Sequence, residues 1–265
     1  MNAPSADDVP AHPAATVVVV RDAADGLEAF MLLRTSQASF AAGMYVFPGG
    51  RVDEADGAPD VERWCDGRDD RSASVALGLA RGGLAYWVAA VRECFEEAGL
   101  LLARRRDGSP VQPRDDDRRA VHAGKLPMVE LCRRDDLVLD LGALRYIAHW
   151  VTPAGEGTRR FDTRFFLAVA PPDQEGAHDD TETVHSMWVK PSDALGQAER
   201  RELLMLPPTV ATLRWIADCS STADALARAD TAPTPERIQP RLRKNAAGKV
   251  VGIALPGDPG YASLI

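Results

Sequence analysis

The sequence predicts an α/β fold, a sandwich of helices around a mixed sheet, on three observations. Short β-branched runs recur along the chain, a helical stripe interrupts them near the middle, and helix-like segments follow them towards the end. Ala14 to Val20 and Leu27 to Leu33 are apolar runs separated by Asp22-Ala23-Ala24-Asp25-Gly26, the pattern of a strand, a loop and a second strand. A short strand follows at Met44 to Phe47 and leads into Pro48-Gly49-Gly50, where a glycine pair permits backbone angles closed to other residues and lets a ligand approach the main chain closely. Leu84 to Glu97 is the clearest helix, because Leu84, Val88, Val91 and Phe95 fall on one stripe, and Gly99 is its expected stop.

Further strands are expected at Ala143 to Val151, Phe161 to Ala170 and Val184 to Val189. Helices are expected at Pro191 to Met205 and Thr209 to Cys219, and a final hairpin turns at Asn245-Ala246-Ala247-Gly248 between Ile238 and Pro256. Residues 51–83 are polar and punctuated, with short helices expected at Val61 to Trp64 and Ser74 to Leu79, and read as an insertion. The stretch Arg104 to Arg119 mixes Arg, Asp and Pro without apolar periodicity, so a solvated loop is expected there. The organisation that follows is a disordered tail over residues 1–13, one domain over 14–256 and a short tail over 257–265.

Composition narrows the function. The chain has 265 residues, 45% of them hydrophobic, enough for a sizeable core. A net charge of -8 argues against nucleic acid as the main partner, since that binding needs a basic surface. Cys65, Cys94, Cys132 and Cys219 form no C-x-x-C pair, which speaks against both a disulfide framework and a zinc site. The first fifteen residues lack the basic and apolar regions of a secretory signal, and no apolar run approaches the ~20 residues that span a bilayer. A cytoplasmic protein acting on a small molecule is expected, without membrane or nucleic-acid partner and with its oligomeric state open.

Residues three and four apart share a helix face, so Glu93, Glu96 and Glu97 are expected to form one exposed acidic patch opposite the apolar stripe. Three like charges at a helix C-terminus repel each other and oppose the helix dipole, an arrangement that calls for cations. Carboxylates without His or Cys match hard divalent ions, Mg²⁺ or Mn²⁺. A Glu-rich helix alone is more often a solvated face. Here the preceding arginine, the glycine pair and the spacing overturn that reading.

Arg92-Glu93-Cys94-Phe95-Glu96-Glu97-Ala98-Gly99-Leu100 resembles the second half of the Nudix box, G-x5-E-x7-R-E-U-x-E-E-x-G-U with U apolar. Gly50 matches the start of the box, but 41 residues separate it from Arg92, so about 28 are inserted. Counting six from Gly50 places Asp56 in the first acidic slot, with Glu54 or Asp53 as alternatives if the loop shifts register. An interrupted box of this kind resembles the branch of peroxisomal coenzyme A diphosphatases of mammals and their bacterial relatives. Phe47-Pro48-Gly49-Gly50, His149-Trp150-Val151-Thr152-Pro153, Arg160 to Phe166, Trp188 and Leu206-Pro207-Pro208 support it. Leu32-Leu33-Arg34-Thr35-Ser36 adds a weaker likeness to the segment that precedes the box in coenzyme A-cleaving members.

The resemblance implies a Nudix α/β/α sandwich with a mixed sheet, an insertion inside the box and a C-terminal extension of helices and a hairpin. It implies metal-dependent hydrolysis of a diphosphate linkage, with coenzyme A or acyl-coenzyme A as substrate. ADP-ribose or an NADH-type dinucleotide is the alternative substrate, and a catalytically silent nucleotide-sensing module the alternative of another class. Glu93, Glu96, Glu97 and the Gly50 carbonyl become the expected metal ligands, and Arg92 orients the carboxylates. Glu182 is a candidate further acid from a distant loop. Arg159, Arg160 and Arg164 are candidate phosphate contacts, since a guanidinium fork suits phosphate. His149 and His185 read as structural or surface histidines.

Overall fold

In the computed structural model, which describes residues 9–155 and 159–264, the first apolar run becomes the middle of a longer strand, β1 (Ala11–Ala23). Val17 and Val19 face one way and Val18 and Val20 the other, all fully buried, as in a central strand covered on both sides. The strand starts earlier than expected: Ala11 to Pro13, placed by the sequence in a disordered tail, pair with Arg160 to Asp162. The first eight residues of that tail lie outside the described ones. A tight turn leads to β2 (Gly26–Arg34), then come β3 (Tyr45–Val46) and β4 (Gly49–Arg51).

The insertion carries 3₁₀ turns at Glu54–Gly57 and Val61–Trp64, strand β5 (Cys65–Asp66) and helix α1 (Asp70–Leu77). Helix α2 (Leu84–Ala98) follows, with Asp70 accepting from the backbone N–H of Leu84 at its start and Gly99, at φ 68°, closing it. Its surroundings differ from the expected half-exposed face. Of its 15 residues only Glu96 is not buried, because the sheet covers one side and β4, α1 and the next helix cover the others.

Arg104 to Arg119 is not the expected solvated loop. It contains β6 (Ala103–Arg105) and enters α3 (Asp115–His122), followed by α4 (Met128–Asp135) and β7 (Leu137–Asp140). Only Asp117 and Val121 of α3 are buried, so the helix has almost no apolar stripe to read. Ion pairs fix it instead, with Asp117 held by Arg114 at 2.6 Å and by Arg134 at 2.6 Å. Strands β5, β7 and β6 form a small three-stranded sheet.

The second half supplies β8 (Arg145–Val151), β9 (Arg160–Val169) and β10 (Thr183–Val189) near their expected positions. Helix α5 (Pro191–Glu199) ends six residues before the expected Met205, with Arg201 at φ 61° breaking the chain direction. Helix α6 (Pro207–Ile216) and an unforeseen α7 (Thr222–Thr231), capped by Ser221, complete that layer. Strand β11 (Arg237–Ile238) joins the main sheet, and β12 (Arg241–Lys244) and β13 (Val250–Ala254) make the expected hairpin. The final tail docks on that hairpin, with Arg241 donating to the carbonyls of Tyr261 and Ala262 at 3.0 and 3.1 Å.

The main sheet runs β10-β2-β1-β9-β8-β11, with β3 beside β2 and β4 beside β1. It is mixed, since β1–β9 and β8–β11 are parallel and the other pairs antiparallel. The α2 layer packs on the face of Val17, Val19, Phe30 and Phe166, and α5 to α7 on the face of Val18, Val20, Met31 and Leu167. That is the α/β/α sandwich the sequence predicted.

Candidate functional site

The glycine pair of β4 lies between β1 and the C-terminal half of α2, with Gly50 opposite Ala15 and Gly49 opposite Thr16. A Cβ on Gly50 would fall 2.5 Å from Oε1 of Glu93, so only glycine leaves room for that carboxylate. One residue back, the Gly49 N–H donates to Oε2 of Glu97 at 2.9 Å. The same strand therefore seats two of the three box glutamates.

Arg92 gathers the acids from the other side. Its Nε and Nη2 make a bidentate pair with Asp56 at 2.8 and 2.9 Å, and its Nη1 reaches Glu93 at 2.8 Å and Glu96 at 3.2 Å. Nη2 also donates to the Arg51 carbonyl at 2.7 Å, which ties the strand end to the helix. Of the three acids considered for the first slot, Asp56 is the one that grips Arg92; it is 2% exposed, held in the turn after β4. Asp53 is exposed and 3.8 Å away, and Glu54 is exposed and forms no pair with Arg92.

A second guanidinium, unassigned in the sequence reading, completes the cluster. Arg34, at the end of β2, bridges Glu97 at 3.4 Å and Glu182 at 3.1 Å. The proposed distant acid thus lies beside the box through Arg34, and the Thr35 N–H bonds to the Glu182 carbonyl at 2.9 Å. Arg118 of α3, also missed, donates to the carbonyls of Glu96 at 2.9 Å and Glu97 at 2.8 Å, and to Ala177 at 2.8 Å. Its sequence signal was hidden in the Arg- and Asp-rich stretch read as a loop.

Five carboxylates, those of Asp56, Glu93, Glu96, Glu97 and Glu182, thus face two guanidiniums. Burial pushes the Glu97 carboxyl up to about 8, against the opposing effects of Arg34 and the Gly49 N–H. Burial also raises Glu93 well above the carboxylate range; Arg92 opposes the rise and the charges of Glu97 and Glu96 add to it. Glu96 is raised by burial as well. Arg92 resists burial through its bonds to Asp56 and the charges of Glu93, Asp56 and Glu96, and stays firmly protonated. Such a surplus of oxygen donors, proton-avid without a cation, fits a hard divalent ion. Among the described residues no three His, Cys, Asp or Glu side chains already converge in an ion-holding geometry, because the acids are turned onto the two arginines.

The three candidate phosphate-binding arginines do not join this cluster. Arg160 is buried and donates to the carbonyls of Thr152 and Val9 at 3.2 and 2.7 Å. Arg164 is buried against His149 and Asp162, with Tyr86 beneath it. Alternation along β9 turns both towards the α2 layer, where fold contacts occupy their guanidiniums. Arg159 stays exposed and donates to Ser39 Oγ at 2.8 Å. His149 is structural, paired with Asp162 at 2.8 Å, and His185 is exposed beside Tyr45. The four cysteines are free thiols, with Cys94, Cys132 and Cys219 buried.

A mixed-sheet α/β/α sandwich in which a glycine strand underlies an R-E-x-x-E-E-x-G helix is the architecture of the Nudix hydrolases. Comparison with known proteins narrows the class: the NUDT19 Nudix domain family matches residues 68–216, and the chain belongs to that family. It is 31% identical to the human acyl-coenzyme A diphosphatase NUDT19 over 278 residues, covering 90% of this chain and 73% of the relative. The Gallus gallus acyl-coenzyme A diphosphatase NUDT19 is 29% identical over 243 residues, and the match spans 74% of this chain and only 63% of that protein. A crystal structure of a NUDIX hydrolase from Alicyclobacillus acidocaldarius superposes with a TM-score of 0.71 at 28% identity, covering 85% of this chain and 100% of that one.

Proposed function

We propose that this protein is a divalent-metal-dependent diphosphatase of coenzyme A or acyl-coenzyme A. The observation that carries the reading is the seat of Glu93 and Glu97 on the Gly49-Gly50 strand, with Arg92 and Arg34 holding an excess of buried carboxylates around it. Kinship with the acyl-coenzyme A diphosphatases supplies the substrate class.

In this reading Glu93, Glu96, Glu97 and the Gly50 carbonyl hold Mg²⁺ or Mn²⁺. Bound ions of this kind neutralise a diphosphate and lower the pKa of the water that attacks one phosphorus. Arg92, anchored by Asp56, holds Glu93 and Glu96 side by side on one face of α2, from which they would turn to an ion. Glu93, a buried carboxylate, is the candidate to take the proton of the attacking water. Arg34 and Glu182 close the far side, where Arg34 positions Glu97.

The test is a panel of diphosphates offered with Mg²⁺ or Mn²⁺. Turnover of coenzyme A or its thioesters is expected, and Glu97→Gln should lower it by at least about 100-fold. Brisk turnover of ADP-ribose or NADH beside none of coenzyme A would refute the substrate. Tight nucleotide binding without hydrolysis of any member would indicate a silent module, and unchanged hydrolysis by Glu97→Gln would refute the ligand set.

A further inference from the structure

A cavity of about 350 Å³ lies on the sheet face opposite α2. Its floor is the outward row of β9, Phe161, Thr163 and Phe165, and its roof comes from the start of α6 at Pro208 and from β13 at Ile253. Both roof elements belong to the C-terminal extension, which nothing in the diphosphate chemistry uses. Phe40, edge-on to Phe161 at 5.3 Å between centroids, closes one side.

Two lining residues connect this cavity to the carboxylate cluster. Gly49 bonds Glu97 through its N–H, and Arg34 pairs with the same carboxylate. A substrate whose diphosphate lies on the box therefore has the cavity within reach of one arm. The lining decides which arm. Arg34 is its only charged residue among the described ones, and Glu97 and Glu182 already hold that guanidinium. The rest is aromatic, aliphatic, proline and threonine, which gives a 3′-phosphorylated nucleoside no cation and few hydrogen-bond partners. An acyl thioester asks for neither. The volume is at the low end of the ~300–1,000 Å³ typical of small-molecule pockets, a size for an acyl chain of moderate length.

We propose that this cavity is the acyl-arm subsite, roofed by the C-terminal hairpin and helix, and that it selects thioesters of moderate chain length over free coenzyme A. The assignment rests on the coenzyme A reading above.

The test compares the native protein with Ile253→Trp, which fills the cavity from its roof, and Thr163→Leu, which fills it from its floor. Steady-state kinetics on coenzyme A and its butyryl, hexanoyl and octanoyl thioesters are paired with calorimetric binding of S-octanoyl-pantetheine to metal-free protein. The native protein should gain up to about fourfold in kcat/KM for each added methylene until the cavity is full. Both variants, with thermal midpoints confirming that they fold, should lose most of the octanoyl-over-free preference and bind the pantetheine thioester at least tenfold more weakly. Turnover of coenzyme A with no chain-length preference, or a preference unchanged in both variants, would overturn the cavity assignment alone. An equal loss on free and acylated coenzyme A would move the nucleoside into the cavity and also overturn it. Hydrolysis of no coenzyme A compound at all would overturn the underlying reading, and this assignment with it.

Discussion

A methyl group added at Gly50 would occupy the space of the Glu93 carboxylate, so Gly50→Ala tests the seat directly. Displacing a ligand by about 1 Å costs on the order of 100-fold in rate, and a loss of that size in kcat is expected with little change in fold by circular dichroism. The Arg92–Asp56 pair makes a second test, because both partners are almost fully buried. Asp56→Ala leaves the guanidinium unpaired on that side and should cost about 3–5 kcal/mol in urea unfolding, whereas Glu54→Ala, at an exposed position, should be silent. Equal effects from the two would refute Asp56 as the acid of the first slot. The buried glutamates also set a pH dependence for the metal-free protein. Glu97 titrates near 8 when folded against 4.5 for the ordinary side chain, so the native state binds the extra proton between those values. The stabilisation it gives is therefore complete below about pH 4.5 and is lost as pH rises towards 8. Chelator-treated protein should show a falling thermal midpoint from pH 5 to 8.5, and added Mg²⁺ should flatten that fall.

Helix α2 depends on its neighbours for the carbonyl end as well as for its acids. Arg118 of α3 binds the carbonyls of Glu96, Glu97 and Ala177, joining the helix to the loop that carries Glu182. Arg118→Ala should lower kcat about tenfold while coenzyme A KM moves less, with a stability loss of about 1.5–3 kcal/mol, the worth of a charged hydrogen bond. Unchanged kcat would make α3 a mere cover. Much at this scale was legible. The stripe through Leu84, Val88, Val91 and Phe95 gave α2 to within a residue of its end, Gly99 stopped it, and a count of six from Gly50 pointed to Asp56, the acid that pairs with Arg92. Other features had no local signal. Arg34 meets Glu97 across 63 residues, which no spacing rule reaches. Helix α3 is held by Asp117 and its arginines, and ion pairs leave no apolar period. The expected exposure of the acids failed because periodicity describes one face of a helix, whereas β4, the Glu54–Gly57 turn, α1 and α3 also pack around α2.

The whole molecule places its layers according to the two faces of β1. The α2 layer and the insertion build the acidic cluster, and the α5 to α7 layer with the C-terminal hairpin roofs the apolar cavity. Composition and patterning gave the sandwich but not the cavity, because its walls come from segments as distant as Phe40, Phe161 and Ile253. No described helix is long and apolar enough to cross a membrane.

The parallel pairing of β1 with β9 also constrains how the chain is made. Ala11 meets Arg160 and Val20 meets Val169, so this central strand acquires its inner neighbour only after about 150 further residues exist. Until then β1 is paired only along the side that faces β2 and β4, and its other edge is uncovered and prone to association. Refolding should be slow for the chain's size, in keeping with closure of so long a loop, and fragments released before Leu144 should aggregate where the full chain does not. The nascent polypeptide is then most vulnerable through the middle of its synthesis, when the acidic helix has emerged and the strand that completes its platform has not.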